Sequence, residues 1–266
     1  MLLRHNHFPS RFVPARHVHV WLPDDYVQQP QTRYSVLYMH DGQNLFDPAT
    51  AMGGETWGVA EALARLTAAG TVRPTIIVGI FNHVNRWEEY WPERPLTHPH
   101  AAQLRQQFNA IVTVPVRSDN YLRFIVTEVK AFIDQAYRTL PAPEETFIMG
   151  SSMGGLISLY ALCEYPEVFG GAGCLSTHWP AVEGIILPYL ETALPAPGRH
   201  KLYFDYGTAT LDALYEPLQK PVDALMVRKG YQEGQNWLTR RFEGAEHNET
   251  AWRARIDLPL TFLLSQ

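Results

Sequence analysis

Ser152 stands in the run Gly150-Ser-Ser-Met-Gly154, followed by Gly155, directly after the apolar segment Thr146-Phe-Ile-Met149. A serine hydroxyl is a poor nucleophile at neutral pH until a neighbouring base takes its proton. The spacing supplies the geometry: glycines two positions before and after the serine permit a strand-to-helix turn too tight for side chains there. Such a turn lifts Ser152 Oγ clear of the strand. The following N–H, from Met153, then points into the same space at the start of a helix whose dipole favours a developing negative charge. The rival reading is a glycine-rich turn with a buried serine, and the strand before and helix after weigh against it. Ser151 is adjacent, but the glycine spacing selects Ser152.

A base must follow. Three histidines come after Ser152: His178, His200 and His247. His200 begins a strand and so falls at the wrong end of a parallel sheet. His247 lies in the polar loop Glu243-Gly-Ala-Glu-His-Asn-Glu249, after the last strand and before the last helix, where a base could hang over the serine turn. His178, in Ser176-Thr-His-Trp179, is expected to line the pocket. The acid that holds the imidazole tautomer must come from around the strand Lys201–Tyr206, which offers Asp205, Asp212 and Glu216. Asp205 falls within the strand; Asp212 stands in the loop beyond Gly207-Thr208 and is the first choice, with the other two left open.

The break His40-Asp-Gly-Gln43, after the apolar run Tyr34–Met39, is where a second oxyanion donor would stand. The Gln43 N–H is the candidate, with Gly42 allowing close approach; an ordinary Asp-Gly turn is the alternative. Asn44, Trp57, Arg86, Tyr90, His178 and Trp179 are expected around the mouth.

These residues need a scaffold that brings strand ends together. Short β-rich runs alternate with helical patterns: strands at Arg16–Leu22, Tyr34–Met39, Thr75–Ile80, Thr146–Met149, Gly171–Leu175, Lys201–Tyr206 and Trp237–Phe242. Helices are expected near Thr56–Ala69, from Ser118 or Asp119 to about Tyr137, and over Gly154–Glu164, Ala213–Lys229 and Ala251–Leu264. Strands apolar on both faces, alternating with helices, specify an α/β domain with a mainly parallel central sheet covered on both faces. Residues 82–116, proline-rich and irregular, read as a connection that could cover a pocket.

Composition narrows the function class. At 266 residues the chain fits one such domain spanning 1–266. The net charge of −5 comes from acids and bases mixed along the chain, with no basic face for nucleic acid or an anionic membrane. The segment Met1–Pro14 reads as neither signal peptide nor anchor, and no apolar run approaches a membrane span. With two cysteines, Cys163 and Cys174, each in an apolar stretch, a cytoplasmic location is expected. The pairs His17/His19 and His98/His100 lack a third ligand at a familiar spacing, so no metal or other cofactor is expected.

Four segments together resemble the Putative esterase family, which includes enterochelin, feruloyl and acetyl-xylan esterases, S-formylglutathione hydrolase and the antigen 85 mycolyltransferases. They are Tyr34-Ser-Val-Leu-Tyr-Met-His-Asp-Gly-Gln-Asn-Leu-Phe46, Ile148-Met-Gly-Ser-Ser-Met-Gly-Gly155, Phe204-Asp-Tyr-Gly-Thr208 and Gly244-Ala-Glu-His-Asn-Glu249. The resemblance implies an α/β-hydrolase fold, a Ser-Asp/Glu-His triad without metal, Ser152 as nucleophile, His247 as base, and the Gln43 and Met153 N–H groups as the oxyanion pair. Many relatives place the acid two residues beyond the Gly-Thr pair, where this chain has Thr210. The expected activity is hydrolysis of a small-molecule carboxylic ester. Acyl transfer from the same intermediate, or a non-catalytic binding protein on the same fold, are the alternatives.

Overall fold

The computed structural model describes residues 1–265. Eight strands form one sheet: β1 (Leu2–Phe8), β2 (Arg16–Trp21), β3 (Ser35–Met39), β4 (Thr75–Ile80), β5 (Thr146–Ser151), β6 (Gly171–Leu175), β7 (Lys201–Gly207) and β8 (Trp237–Phe242). Their spatial order is β1-β2-β4-β3-β5-β6-β7-β8. From β4 to β8 every pairing is parallel; β2 joins β4, and β1 joins β2, antiparallel.

Each inner strand is buried along its length, and alternate residues feed two cores. Val36, Tyr38, Ile76, Val78 and Ile148 face one cluster with Leu156, Tyr160 and Ile125; Leu37, Met39, Ile77, Phe147 and Met149 face the other with Leu63, Leu260 and Leu263. Helices therefore cover both faces: α1 (Val59–Ala68), α9 (Glu249–Arg255) and α10 (Asp257–Leu264) feed the second, while α2 (Arg86–Tyr90), α3 (Ala101–Gln107), α4 (Ser118–Phe124), α5 (Lys130–Ala136), α6 (Met153–Glu164), α7 (Ile186–Ala193) and α8 (Glu216–Arg228) feed the first.

Three departures from the expected elements have local causes. Strand β1 was not anticipated because none of its residues is fully buried and no apolar alternation marks it; it pairs with β2, Leu3 and Phe8 half-bury against the first core, and the register shifts between His5 and Phe8 at His7, whose φ is 52°. The helix expected from 118 to 137 is interrupted by a π-helical turn, Ile125–Val129, between α4 and α5. The helix expected from Ala251 to Leu264 starts two residues earlier, where the Asn248 side chain accepts the Ala251 N–H at 2.9 Å, and divides at Ile256.

Within residues 82–116, α2 carries Arg86 and is anchored by Glu89, bidentate to Arg16 at 2.7 and 2.7 Å in the interior. Trp91, Leu96, Leu104 and Phe108 sink into the first core.

Candidate active site

The carboxyl ends of β3, β5, β6, β7 and β8 stand side by side, so the loops leaving them converge. Between β5 and α6 lies one residue, Ser152, at φ 57° and ψ −122°. Sequence spacing makes this turn possible. A Cβ on Gly150 would fall 2.8 Å from the Gly154 carbonyl carbon, and one on Gly155 would fall 3.1 Å from the Leu175 oxygen. The turn is pinned from both sides: Ser152 N–H donates to Leu175 O at 2.9 Å, and the His178 N–H donates to Ser152 O at 3.1 Å.

His247 follows the end of β8. Its Nδ1 lies 2.5 Å from Oδ1 of Asp212, a fully buried carboxylate. Burial alone would raise the Asp212 pKa, but the hydrogen bonds from His247, Ser176 (2.6 Å) and the Gly207 N–H (2.6 Å) outweigh it, and the acid sits below its ordinary value. An ionised Asp212 can only accept, so the proton belongs to His247 Nδ1 and the lone pair to Nε2. Trp252 and Tyr215 hold the imidazole edge-on, at ring distances of 5.1 and 5.8 Å.

The other two acids have different places. Asp205 lies one layer deeper, bridged by Arg255 at 3.1 and 2.9 Å; Ser176 Oγ links the layers, donating to Asp212 and accepting from Arg255 Nη2 at 2.8 Å. Burial pushes the Asp205 pKa up despite Arg255. Glu216 is on the outside of α8, paired with Lys220 and Arg241. Thr210 accepts the His247 backbone N–H through its hydroxyl at 2.9 Å.

Among the described residues, neither the Gln43 nor the Met153 N–H donates to another backbone group, so both remain available for a ligand oxygen. Asp41, in the left-handed region at φ 54°, turns the chain after β3. The close approach that Gly42 permits is to the next strand: a Cβ there would lie 2.5 Å from the Gly79 carbonyl carbon of β4.

Ser152 and His247 both line a cavity of about 200 Å³, together with Asp41, Gln43, Asn44, Asn82, Arg86 and Glu249. Asp41 is clamped by Arg86 (2.7 and 2.7 Å) and by Asn82 (2.7 Å); burial opposes its ionisation, but the guanidinium prevails and holds the carboxyl below its usual range. Asn44 bridges to Glu249 at 3.2 Å. Among the described residues no cluster of three His, Cys, Asp or Glu side chains is arranged to hold a metal ion, and no helix is long and apolar enough to cross a membrane.

A family model described as Putative esterase matches residues 11–258. The chain belongs to that family. This esterase has the α/β-hydrolase fold and hydrolyses carboxylic esters. It is 25% identical over 240 residues to the uncharacterized protein YbbA of Bacillus subtilis, covering 86% of this chain and 84% of the relative. Carboxylesterase SOBER1 of Arabidopsis thaliana is 27% identical over 177 residues, 58% of this chain and 75% of that one. Among solved structures, an IroE-like serine hydrolase from Shewanella oneidensis superposes with a TM-score of 0.73 at 21% identity, over 98% of this chain and 77% of the other.

Of the side chains expected at the mouth of this esterase, Asn44 and Arg86 line the cavity and four do not. Trp57 is buried behind it, 5.5 Å from Trp252. Tyr90 is buried beneath Asp41, whose N–H it accepts at 3.4 Å. Trp179 is fixed in the core by Gln219 at 2.9 Å. His178 stands behind Ser152, its Nδ1 2.8 Å from the Tyr215 hydroxyl. Aromatic side chains on this scaffold gain more from the core than from the rim. The residues missed are Asp41 and Asn82, in the segments that leave β3 and β4, and Glu249, at the start of α9. Their one sequence signal is adjacency to the motifs: Asp41 precedes Gly42, and Glu249 follows His247 by two.

Proposed function

We propose that this esterase works through an acyl-enzyme on Ser152, with His247 as general base and Asp212 as its orienting acid. The supporting observation is the 2.5 Å contact of Asp212 Oδ1 with His247 Nδ1 beside a cavity lined by both His247 and Ser152. That contact leaves the Nε2 lone pair free for the serine proton.

As Ser152 Oγ bonds to the ester carbonyl carbon, its proton passes to His247 Nε2, and the carbonyl oxygen takes the negative charge against the Gln43 and Met153 N–H groups. The carbon–oxygen bond to the alcohol then breaks, and His247 gives its proton to the departing oxygen. Water repeats the sequence on the acyl-enzyme, delivering the acid and restoring Ser152. No cofactor is needed for any step. The substrate is a small-molecule ester. The buried, unpaired thiols of Cys163 and Cys174 suit a reducing compartment such as the cytoplasm.

The test is labelling by a fluorophosphonate probe together with p-nitrophenyl acetate turnover. The folded protein should label and turn over, and Ser152→Ala should lose both. Normal turnover by Ser152→Ala overturns the assignment.

A further inference from the structure

Tyr215 is fully buried behind the nucleophile turn, and its hydroxyl is placed by named contacts. It lies 2.8 Å from His178 Nδ1, and the Ser152 side chain is its other hydrogen-bonding neighbour. His178 is tied to the same turn, its N–H donating to Ser152 O at 3.1 Å. The Tyr215 main-chain N–H donates to Asp212 O at 2.9 Å, and the ring stands edge-on to His247 at 5.8 Å. One residue is therefore in contact with nucleophile, base and acid together.

Proton counting gives the direction of these bonds. Among the described residues, His178 Nε2 is buried and has no partner. Burial, then the charges of His247 and Arg86, lowers the His178 pKa to about 4, so the ring is neutral and carries one proton. A proton on Nε2 would be a donor orphaned in the interior, whereas an unused acceptor is tolerated more often. Trp87 and Phe108, whose rings pack edge-on to His178 at 5.4 and 6.4 Å, offer it no oxygen. The proton therefore belongs to Nδ1, which donates to the Tyr215 oxygen. Burial and the Asp212 charge raise the phenol pKa, so Tyr215 keeps its own proton, and of its two neighbours only Ser152 Oγ is left to accept it.

We infer that Tyr215 is a further catalytic residue of this esterase, donating its O–H to Ser152 Oγ, and that the bond serves release of the acyl group rather than its capture. This rests on the acyl-enzyme reading above. A donor on Oγ makes that oxygen a weaker nucleophile, so it gives nothing to the attack on the ester. In the acyl-enzyme the same oxygen is the leaving group. The phenol then draws on the charge that gathers there as the bond to the acyl carbon breaks, while His247 delivers the proton. Tyr215 ends the cycle protonated, as it began.

The experiment uses Tyr215→Phe, which keeps the ring and removes the donor. Acetyl-enzyme is trapped by acid quench during p-nitrophenyl acetate turnover, and its clearance is followed by intact-protein mass. Clearance should slow about ten-fold, the fraction of enzyme standing acylated should rise, and kcat/KM should be no lower than in the parent. A packing role alone would misplace Ser152 and lower kcat/KM with kcat. His178→Leu supplies a second variant: it removes the group that steers the phenol, and should slow clearance in the same direction by a smaller factor. Clearance at the parent rate in both variants, or a fall in kcat/KM equal to that in kcat, overturns this inference alone; absence of any Ser152-dependent turnover in the parent overturns the reading it rests on.

Discussion

Gly207 and Ala245 are in backbone contact: a Cβ on Gly207 would lie 2.0 Å from the Ala245 carbonyl oxygen and 3.1 Å from Asp212 Oδ2. The end of β7 therefore abuts the loop that carries His247, and two further N–H groups, of Thr208 and Ala209, donate to that same carbonyl at 3.1 and 3.0 Å. Gly207→Ala must displace the loop. We expect kcat to fall about 100-fold with a smaller change in KM, since misplacing a catalytic group by an ångström costs about that much. Steady-state kinetics on p-nitrophenyl acetate checks it, and an unchanged kcat contradicts the coupling.

Ser152 sits at a φ of 57° that only glycine adopts without strain. Ser152→Ala keeps the strain and loses the hydroxyl, whereas Ser152→Gly loses both. Both variants should be inactive by several orders of magnitude, yet Ser152→Gly should be the more stable by about 1 kcal/mol. Thermal melts of the two side by side decide this; equal melting temperatures would show that the turn stores nothing.

Asp212 and Asp205 should separate cleanly. Asp212→Asn should lower kcat by about three to four orders of magnitude, because an amide facing Nδ1 favours the wrong tautomer. Asp205→Asn should leave most of kcat and act on stability through Arg255, whose guanidinium it pairs in the interior. Arg255→Met, which strands a buried carboxylate, should destabilise by about 3–5 kcal/mol, and the pair Arg255→Met with Asp205→Leu should recover much of that. Urea melts of the four proteins give the comparison.

Two interior histidines make stability depend on acid. Burial, aided by the Arg86 charge, lowers the pKa of His40 to about 3; burial, then the charges of His247 and Arg86, lowers that of His178 to about 4. The unfolded chain takes up these protons below about pH 6.5 while the native state resists, so stability present above that pH is lost as pH falls toward 4. Each histidine contributes a slope of about 1.4 kcal/mol per pH unit in that window. His40→Gln should flatten the urea midpoint between pH 6 and 4.5 by one such contribution; parallel curves for variant and parent would refute it.

The parts legible in the sequence were those where backbone geometry restricts residue type. The turn at Ser152 announces itself because Gly150, Gly154 and Gly155 each meet backbone or packed neighbours where a Cβ would go. The inner strands show because both faces are buried. His247 and Asp212 were singled out from their places after β8 and β7, and the structure brings Asp212, rather than Asp205 or Glu216, against His247. Strand β1 left no trace, since Leu3 and Phe8 alone half-bury against the core and two such residues five apart make no strand pattern. The cavity wall was legible only in part: Asn44 and Arg86 were expected there, whereas Asn82, four residues before Arg86, and Glu249, at the start of α9, carry no pattern that records their meeting.

The Thr210 hydroxyl grips the main chain of His247 while Asp212 grips its ring. Both holds come from the same short turn after β7, Thr210–Leu214, so this one turn sets where the imidazole stands as well as how it is rotated. A displacement of that turn carries ring and main chain together, and the two contacts act as a single clamp rather than as two separate supports.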